Sequence, residues 1–472
     1  MSEDKKFVDR MEAYNSAFQK MDESEKHFEE HIESYLVSDE GGWTKATDAG
    51  YCSEDSRGMA LDIITLTNFV QTTQPMAWRR FERMCTISPI RQFYKAFENA
   101  VTQDGLISVM RHGFKHRGIN FRVCYFKPES ELNELANEHY KQNVCQCIRQ
   151  WHYTEANRNS IDMMLAVNGI PVVAIELKNQ LTGQSVDDAM RQWEYNRNPK
   201  EYAFGFNKRV LAYFACDLYN VYMTTQLNGA ETVFLPFNQG SNGAGKDGGA
   251  GNPTTEDGKY VTSYFWENVL QKDKLLDILQ KFISYERSEK KKIMPDGSTK
   301  TTVSSKVIFP RYHQLDVVRE LVSHVRENGA GHNYLIQHSA GSGKSNSIAW
   351  TAYRMASLHD ENNNPIFDSV IIVTDRRVLD QQLQATVSGF DHTLGSVVTI
   401  DEKKNSGDLR DAINDGKRII ISTLQKFPVI YDEVHSSVGK HYAVIVDEAH
   451  SSQTGRSEER RVGKECRSRW SP

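Results

Sequence analysis

Three residues of this chain carry the groups needed to break a phosphodiester bond: Asp162, Glu176 and Lys178. Two carboxylates can hold Mg²⁺, the metal polarises the phosphate and its bound water, and an ammonium beside them orients or deprotonates the nucleophile. Asp followed at loose spacing by Glu-x-Lys also arises by chance, and alternating charges commonly mark a solvated strand face. A second set is more specific. Ala340-Gly341-Ser342-Gly343-Lys344-Ser345 has the make-up of a phosphate loop. In such a loop backbone N–H groups cradle the phosphates, Lys344 reaches the β and γ oxygens and the Ser345 hydroxyl ligates Mg²⁺. About a hundred residues later, Asp447-Glu448-Ala449-His450 offers an aspartate to hold Mg²⁺ through water and a glutamate to position an attacking water. The cofactors implied are ATP and Mg²⁺.

These groups act only if the backbone brings them together. Residues 160–178 read as two strands joined around Asn168-Gly169, a strong hairpin signal. Side chains alternate along a strand, so Glu176 and Lys178 share a face. A strict two-residue turn pairs Asp162 with Ile175 and sends Glu176 to the opposite face. A three-residue loop, or a bulge beside Pro171, pairs Asp162 with Glu176 instead. Catalysis therefore requires the looser geometry, and a tight turn with no bulge counts against it. The phosphate loop likewise needs a strand before it, read at Tyr334-Leu335-Ile336-Gln337, and a helix after it. Tyr442-Ala443-Val444-Ile445-Val446 reads as a buried strand delivering Asp447 at its carboxyl end.

The rest of the sequence fits an α/β protein. The first thirty residues are charged and helical in pattern, with Phe28, Ile32, Tyr35 and Leu36 spaced for one apolar face, and Gly41-Gly42 ends that helix. Strand-like runs at 119–126, 160–166, 172–177, 211–217 and 221–225 then alternate with amphipathic helices. Cys145 and Cys147, near His139 and His152, fit no common zinc spacing and sit in a segment that looks helical. Residues 239–258 form a glycine-rich loop. Its Gly240-x4-Gly245-Lys246 has phosphate-loop spacing, but Asp247 stands where Ser or Thr is needed. The expected domains are 1–285, then a polar connector at 286–306, then 307–455, with 456–472 set apart.

Composition excludes little. Hydrophobic residues at 39% and charged residues at 25% of 472 are ordinary for a soluble globular protein. Seven scattered cysteines do not make a secreted disulfide framework. With no bilayer-length apolar run and no signal-like start, the expectation is a cytoplasmic protein without a membrane partner. The net charge of −5 does not advertise nucleic acid, although a local basic groove is enough for phosphate contacts.

Asp162-x13-Glu176-x-Lys178 resembles the PD-(D/E)xK nuclease core. The run Ala174-Ile175-Glu176-Leu177-Lys178-Asn179 resembles the nuclease motif in the R subunit of type I restriction enzymes. RecB-like nucleases carry Gln-x3-Tyr on the next helix. Gln192 and Tyr195 are one residue short of that spacing, so the resemblance gives Gln192 an auxiliary role and leaves Tyr195 open. The phosphate loop and DEAH box resemble the first RecA-like domain of superfamily-two helicases, with His338 where the common first glycine stands. Gln314, in Phe309-Pro310-Arg311-Tyr312-His313-Gln314, sits like that family's adenine-reading glutamine. Residues 370–379, with Thr374 and Arg376, and 419–425, with Ser422 and Thr423, resemble its DNA-backbone contacts. Phe28-Glu29-Glu30-His31-Ile32 with Gly41-Gly42-Trp43 is similar to the start of R subunits.

The resemblance implies a RecB-like nuclease domain followed by a RecA-like motor domain. The activity implied is ATP-driven translocation of double-stranded DNA coupled to Mg²⁺-dependent cleavage, in a complex with methylation and specificity subunits. Such motors close ATP between two RecA-like domains, and this sequence stops after the first DEAH box. The expectation is a truncated chain that binds nucleotide weakly and does not translocate. Residues 456–472 resemble a translated sequencing adapter. Two other readings stay open: a superfamily-two DNA helicase with a non-cutting N-terminal domain, and an inert module that docks on methyltransferase partners.

Overall fold

A computed structural model of the chain describes residues 25–128, 133–241, 248–255, 259–293, 299–339, 341–374, 383, 386–387, 397–400, 404–427 and 439–447. It has two compact units, Met1–Phe309 and Pro310–Pro472. Ala340, Arg376, Glu448, residues 242–247 and 256–258 of the glycine-rich loop, and residues 456–472 lie outside the described residues.

The first unit opens with helix α1 (Glu25–Leu36), whose Phe28, Ile32 and Leu36 are buried as their spacing requires. Strand β1 (Thr44–Ala46) and helices α2 (Ile63–Thr73), α3 (Pro75–Glu82), α4 (Pro89–Asp104) and α5 (Leu106–His112) follow. A small hairpin of β2 (Phe114–His116) and β3 (Ile119–Phe121) precedes α6 (Glu134–Lys141). The main sheet is then built from β4 (Cys145–His152), β5 (Ser160–Val167), β6 (Ile170–Leu177), β7 (Ala212–Cys216), β8 (Val221–Thr224) and β9 (Leu235–Pro236). Its order is β1-β4-β5-β6-β7-β8-β9. β6 and β7 run parallel, which needs a crossover, and helix α7 (Val186–Tyr195) supplies it.

Strand β6 is buried along its whole length, as a central strand covered on both faces must be. One face carries Met164, Ala166, Ala174, Tyr213 and Ala215 against Val186, Ala189 and Trp193 of α7. The other face presents Phe214 to Phe237 and Phe265. Phe28 of α1 packs beside that layer, 5.9 Å from Trp266. The site described below is therefore held between helices on both sides of one sheet.

Three local expectations are corrected. Cys145 and Cys147 lie on a strand, not a helix, with buried and less buried positions alternating. The run at 119–126 is a strand only over Ile119–Phe121. Residues expected as a connector form a two-stranded antiparallel ribbon, β10 (Ser284–Ile293) with β11 (Thr299–Ile308). The polar composition hid it, but Thr301, Thr302 and Val303 are strand-favouring residues opposite Lys291, Lys290 and Glu289 of β10.

Helix α8 (Lys272–Lys281) lies in the first unit, and the second unit contains α9 (Tyr312–Asn328), α10 (Lys344–Ala356) and α11 (Ser406–Asn414). Its sheet has the order β13-β14-β12-β15, all parallel, from β12 (Ser369–Thr374), β13 (Val397–Ile400), β14 (Ile419–Thr423) and β15 (Tyr442–Val446). The strand expected at 334–337 is not formed, and Leu335 is 64% exposed. The strand expected to be buried at 442–446 is formed, but Val444 is 57% exposed. β15 is the outermost strand of the described sheet, and its outer edge has no strand against it.

Candidate functional site

The hairpin turn is the tight two-residue form. Asn168 (φ 53°) and Gly169 (φ 79°) are both left-handed, as that turn requires. A side chain at Gly169 would meet the carbonyl oxygen of Asp62 at 2.3 Å. The register change comes one step later. Ala166 pairs with Pro171 but Leu165 pairs with Val173, leaving Val172 as a bulge. Proline has no N–H to give a ladder, so pairing is weakest beside Pro171. Beyond the bulge Met163 pairs with Ile175, and the same register sets Asp162 opposite Glu176. The bulge thus supplies the geometry that the tight turn alone would deny.

Asp162 Oδ2 accepts a hydrogen bond from the Leu177 backbone N–H at 2.8 Å and lies 3.9 Å from Lys178 Nζ. Glu176 is fully buried, and its Oε1 accepts from both Nε and Nη2 of Arg197, at 2.8 and 2.6 Å. Arg197 also donates to the Ser160 carbonyl at 2.7 Å and lies over the Tyr153 ring. The second oxygen of Glu176 has no hydrogen-bond donor. Burial, and then the charge of Asp162, push the Glu176 carboxyl well above the usual carboxylate range, with Arg197 opposing. Two carboxylates facing each other with a buried oxygen undonated fit a shared cation.

A third acid approaches from α1. Glu29 is buried, bound by Arg149 at 3.0 Å, and held by the Gln150 amide at 3.1 Å. Burial and the nearby Asp162 raise its carboxyl too, against Arg149. Among the described residues, no three of His, Cys, Asp and Glu form a ready-made metal cage. Mg²⁺ needs none, since it keeps several waters and takes one or two carboxylates plus phosphate oxygens.

The sequence reading found Asp162, Glu176 and Lys178 and missed Glu29, Gln150 and Arg197. Glu29 lies within Phe28-Glu29-Glu30-His31-Ile32, but nothing local ties it to the hairpin. Gln192, expected as an auxiliary, is half-buried and makes no side-chain hydrogen bond among the described residues. Tyr195 is exposed. The residue just past this helix that does reach Glu176 is Arg197.

In the second unit Gly341 and Gly343 are left-handed, and Lys344 is the first residue of α10. This is the loop-to-helix geometry that exposes N–H groups to phosphate. Gln314 joins the loop, its amide donating to the carbonyls of Ser342 and Gly343 at 3.1 and 3.0 Å. His338 lies against His313, ring centres 5.1 Å apart, and burial first, then His313 and Lys344, push it down to about 4. It is neutral at physiological pH. Ser345 is half-buried, and Asp447 follows β15 with its N–H on the Val373 carbonyl at 3.0 Å. Thr374 and Ser422, expected to touch DNA, are buried with hydroxyls lacking a partner, whereas Thr423 is half-buried. Motif position brought these residues to strand ends, but the strands are covered on both faces there, so the Thr374 and Ser422 hydroxyls are buried.

Two family models match the chain. Type I restriction enzyme R protein N terminus covers residues 29–235, and SWI2/SNF2 ATPase covers residues 313–464. The type I restriction enzyme HindI endonuclease subunit of Haemophilus influenzae is 26% identical, over 64% of this chain and 27% of its own length. The putative MjaVIIIP endonuclease subunit of Methanocaldococcus jannaschii is 24% identical, over 64% and 28%. The SsaAORF53P endonuclease subunit of Staphylococcus saprophyticus is 22% identical, over 69% and 31%. The chain spans between about a quarter and a third of the length of these relatives. The nuclease-type hairpin falls in the first matched region and the phosphate loop in the second, so the chain is similar to the R (endonuclease) subunits of type I restriction enzymes, an R-protein N terminus followed by a SWI2/SNF2-type ATPase region.

Proposed function

We propose that this chain carries the Mg²⁺-dependent nuclease and an ATP-binding domain of a cytoplasmic type I restriction endonuclease. In that reading ATP-driven translocation of double-stranded DNA is coupled to phosphodiester cleavage, with methylation and specificity subunits as partners. The observation that carries the nuclease part is the bulge at Val172, which sets Asp162 opposite Glu176 while one buried Glu176 oxygen lacks a donor. Asp162 and Glu176 would hold Mg²⁺, which when bound polarises the scissile phosphate and its water. Lys178 steadies or deprotonates the nucleophile, and Arg197 keeps Glu176 aimed. In the second unit Gly341, Ser342 and Gly343 would cradle phosphate, with Ala340 completing the loop. Lys344 would neutralise it, Ser345 and Asp447 would hold the second Mg²⁺, Glu448 would position water, and Gln314 would fix the loop's shape. Thr423 and Arg376 would contact the DNA backbone.

Nicking of supercoiled plasmid by the full chain tests the first part. It should require Mg²⁺, stop with EDTA, and fall at least about 100-fold in Asp162→Asn and Glu176→Gln. Nicking that survives both substitutions would mean a contaminant, and no Mg²⁺-dependent nicking at all would favour a helicase with a non-cutting N-terminal domain. For the second unit, binding of a fluorescent ATP analogue should weaken about tenfold or more in Lys344→Ala, because the lysine supplies the only phosphate charge assigned to this loop. Equal binding by both proteins would remove nucleotide from the reading.

A further inference from the structure

We propose that Gln150 is a positioning residue of the nuclease site, tying Glu29 to Asp162 so that α1 closes over the metal-binding carboxylates. The inference rests on the nuclease reading above. On β4, Arg149 pairs with Met163 and Trp151 with Ile161, so Gln150 falls opposite Asp162 but drops out of the ladder. Its φ is 52°, in the left-handed region that residues other than Gly, Asn and Asp avoid. Gln150 is exposed, so packing does not force this conformation. Its side chain shows what the conformation achieves. Nε2 donates to Glu29 Oε1 at 3.1 Å and lies 3.5 Å from Asp162 Oδ1, while Oε1 accepts from the Ser160 hydroxyl at 2.7 Å.

One amide therefore spans three elements of the site. Glu29 sits on α1, Ser160 and Asp162 on β5, and Gln150 itself on β4. An amide suits the place because it donates to two carboxylates without adding charge, whereas Arg149 beside it already meets Glu29 and Glu33. An ordinary extended residue here would continue the ladder and send its side chain along the pleat. Strain of this kind persists where surrounding structure holds it, and such positions cluster at functional sites.

Gln150→Gly and Gln150→Asn separate the two readings of this strain. Glycine adopts a positive φ freely and asparagine tolerates it, yet glycine has no amide and asparagine is one methylene too short to reach both acids. Each variant of the full chain should keep its melting temperature within about 2 °C of wild type or raise it. Mn²⁺, used as the probe and followed by electron paramagnetic resonance, should bind about 10- to 100-fold more weakly, as when an outer partner of a metal ligand is lost. Mn²⁺ binding within twofold of wild type would overturn the proposal, as would a melting temperature that falls in step with binding, which marks a purely structural tie. Asp162→Asn is the control for the underlying reading. If wild type shows no Mn²⁺ binding that Asp162→Asn abolishes, the metal-dependent nuclease itself fails; if it does and the Gln150 variants bind normally, only this inference fails.

Discussion

Lys178→Met should lower Mg²⁺-dependent cleavage by about 10²–10⁴-fold, the range expected when a positioned acid–base group is removed. The prediction follows from where the ammonium sits. Lys178 is buried at the end of β6, and its Nζ is 3.9 Å from Asp162 Oδ2. That is too long for a tight hydrogen bond but close enough to share a metal-bound water with the carboxylate. Methionine keeps most of the apolar stem, so packing changes little. Asp162 also keeps its backbone donor, the Leu177 N–H at 2.8 Å. Metal binding should therefore survive in Lys178→Met while cleavage is lost, whereas Asp162→Asn should lose both. Plasmid nicking and Mn²⁺ titration on the same samples check both halves. Cleavage within tenfold of wild type would remove Lys178 from the chemistry.

The parts of this site that were legible in the sequence are those governed by neighbours in the chain. Asn168-Gly169 announces the turn, alternation puts Glu176 and Lys178 on one face, and Pro171 marks where a ladder can slip. From these alone a bulge could be required, although not located at Val172. Apolar spacing likewise gave the buried face of α1. What was not legible depends on distant strands. Gln150 lies twelve residues from Asp162 but 121 from Glu29, and its left-handed backbone has no signature in a Cys-Gln-Cys-Ile-Arg-Gln run. Arg197 reads as a charge beyond a helix end until α7 folds back over β6 and β7. The helix-borne Gln192 attracted attention by motif spacing, and that spacing was one residue short.

In the second unit the same division holds. Glycines fixed the phosphate loop because only they adopt its positive φ values readily, at Gly341 and Gly343. The strand before it depended on a partner, and apolar residues 334–336 stay exposed without one. Thr374 and Ser422 show the limit of reading roles from motif position. A place at a strand end does not by itself expose a hydroxyl, because these strands of a parallel sheet are covered on both faces.

Arg197→Ala should cost about 3–5 kcal/mol of stability at pH 8, because it leaves the buried Glu176 carboxylate without its counter-charge. Both partners are almost wholly inaccessible, with side-chain exposures of 4% and 0%, so solvent cannot screen what is lost. The pH dependence gives the cause away. Burial and Asp162 raise the folded-state Glu176 carboxyl above its unfolded value. Its contribution to stability is therefore complete below the unfolded value, about 4.3, and is lost as pH rises through the folded one. Removing Arg197 raises the folded value further, so the deficit of Arg197→Ala should be largest at pH 8 and shrink toward pH 5, as protonation relieves the unpaired charge. Adding Glu176→Gln to Arg197→Ala should recover part of the loss at pH 8 and little at pH 5, since an amide needs no counter-ion. Urea unfolding of the full chain at the two pH values, followed by tryptophan fluorescence, measures all three proteins. A deficit that is the same at both pH values would mean that Arg197 acts through packing on Tyr153 and its bond to Ser160, and that Glu176 draws its orientation from elsewhere.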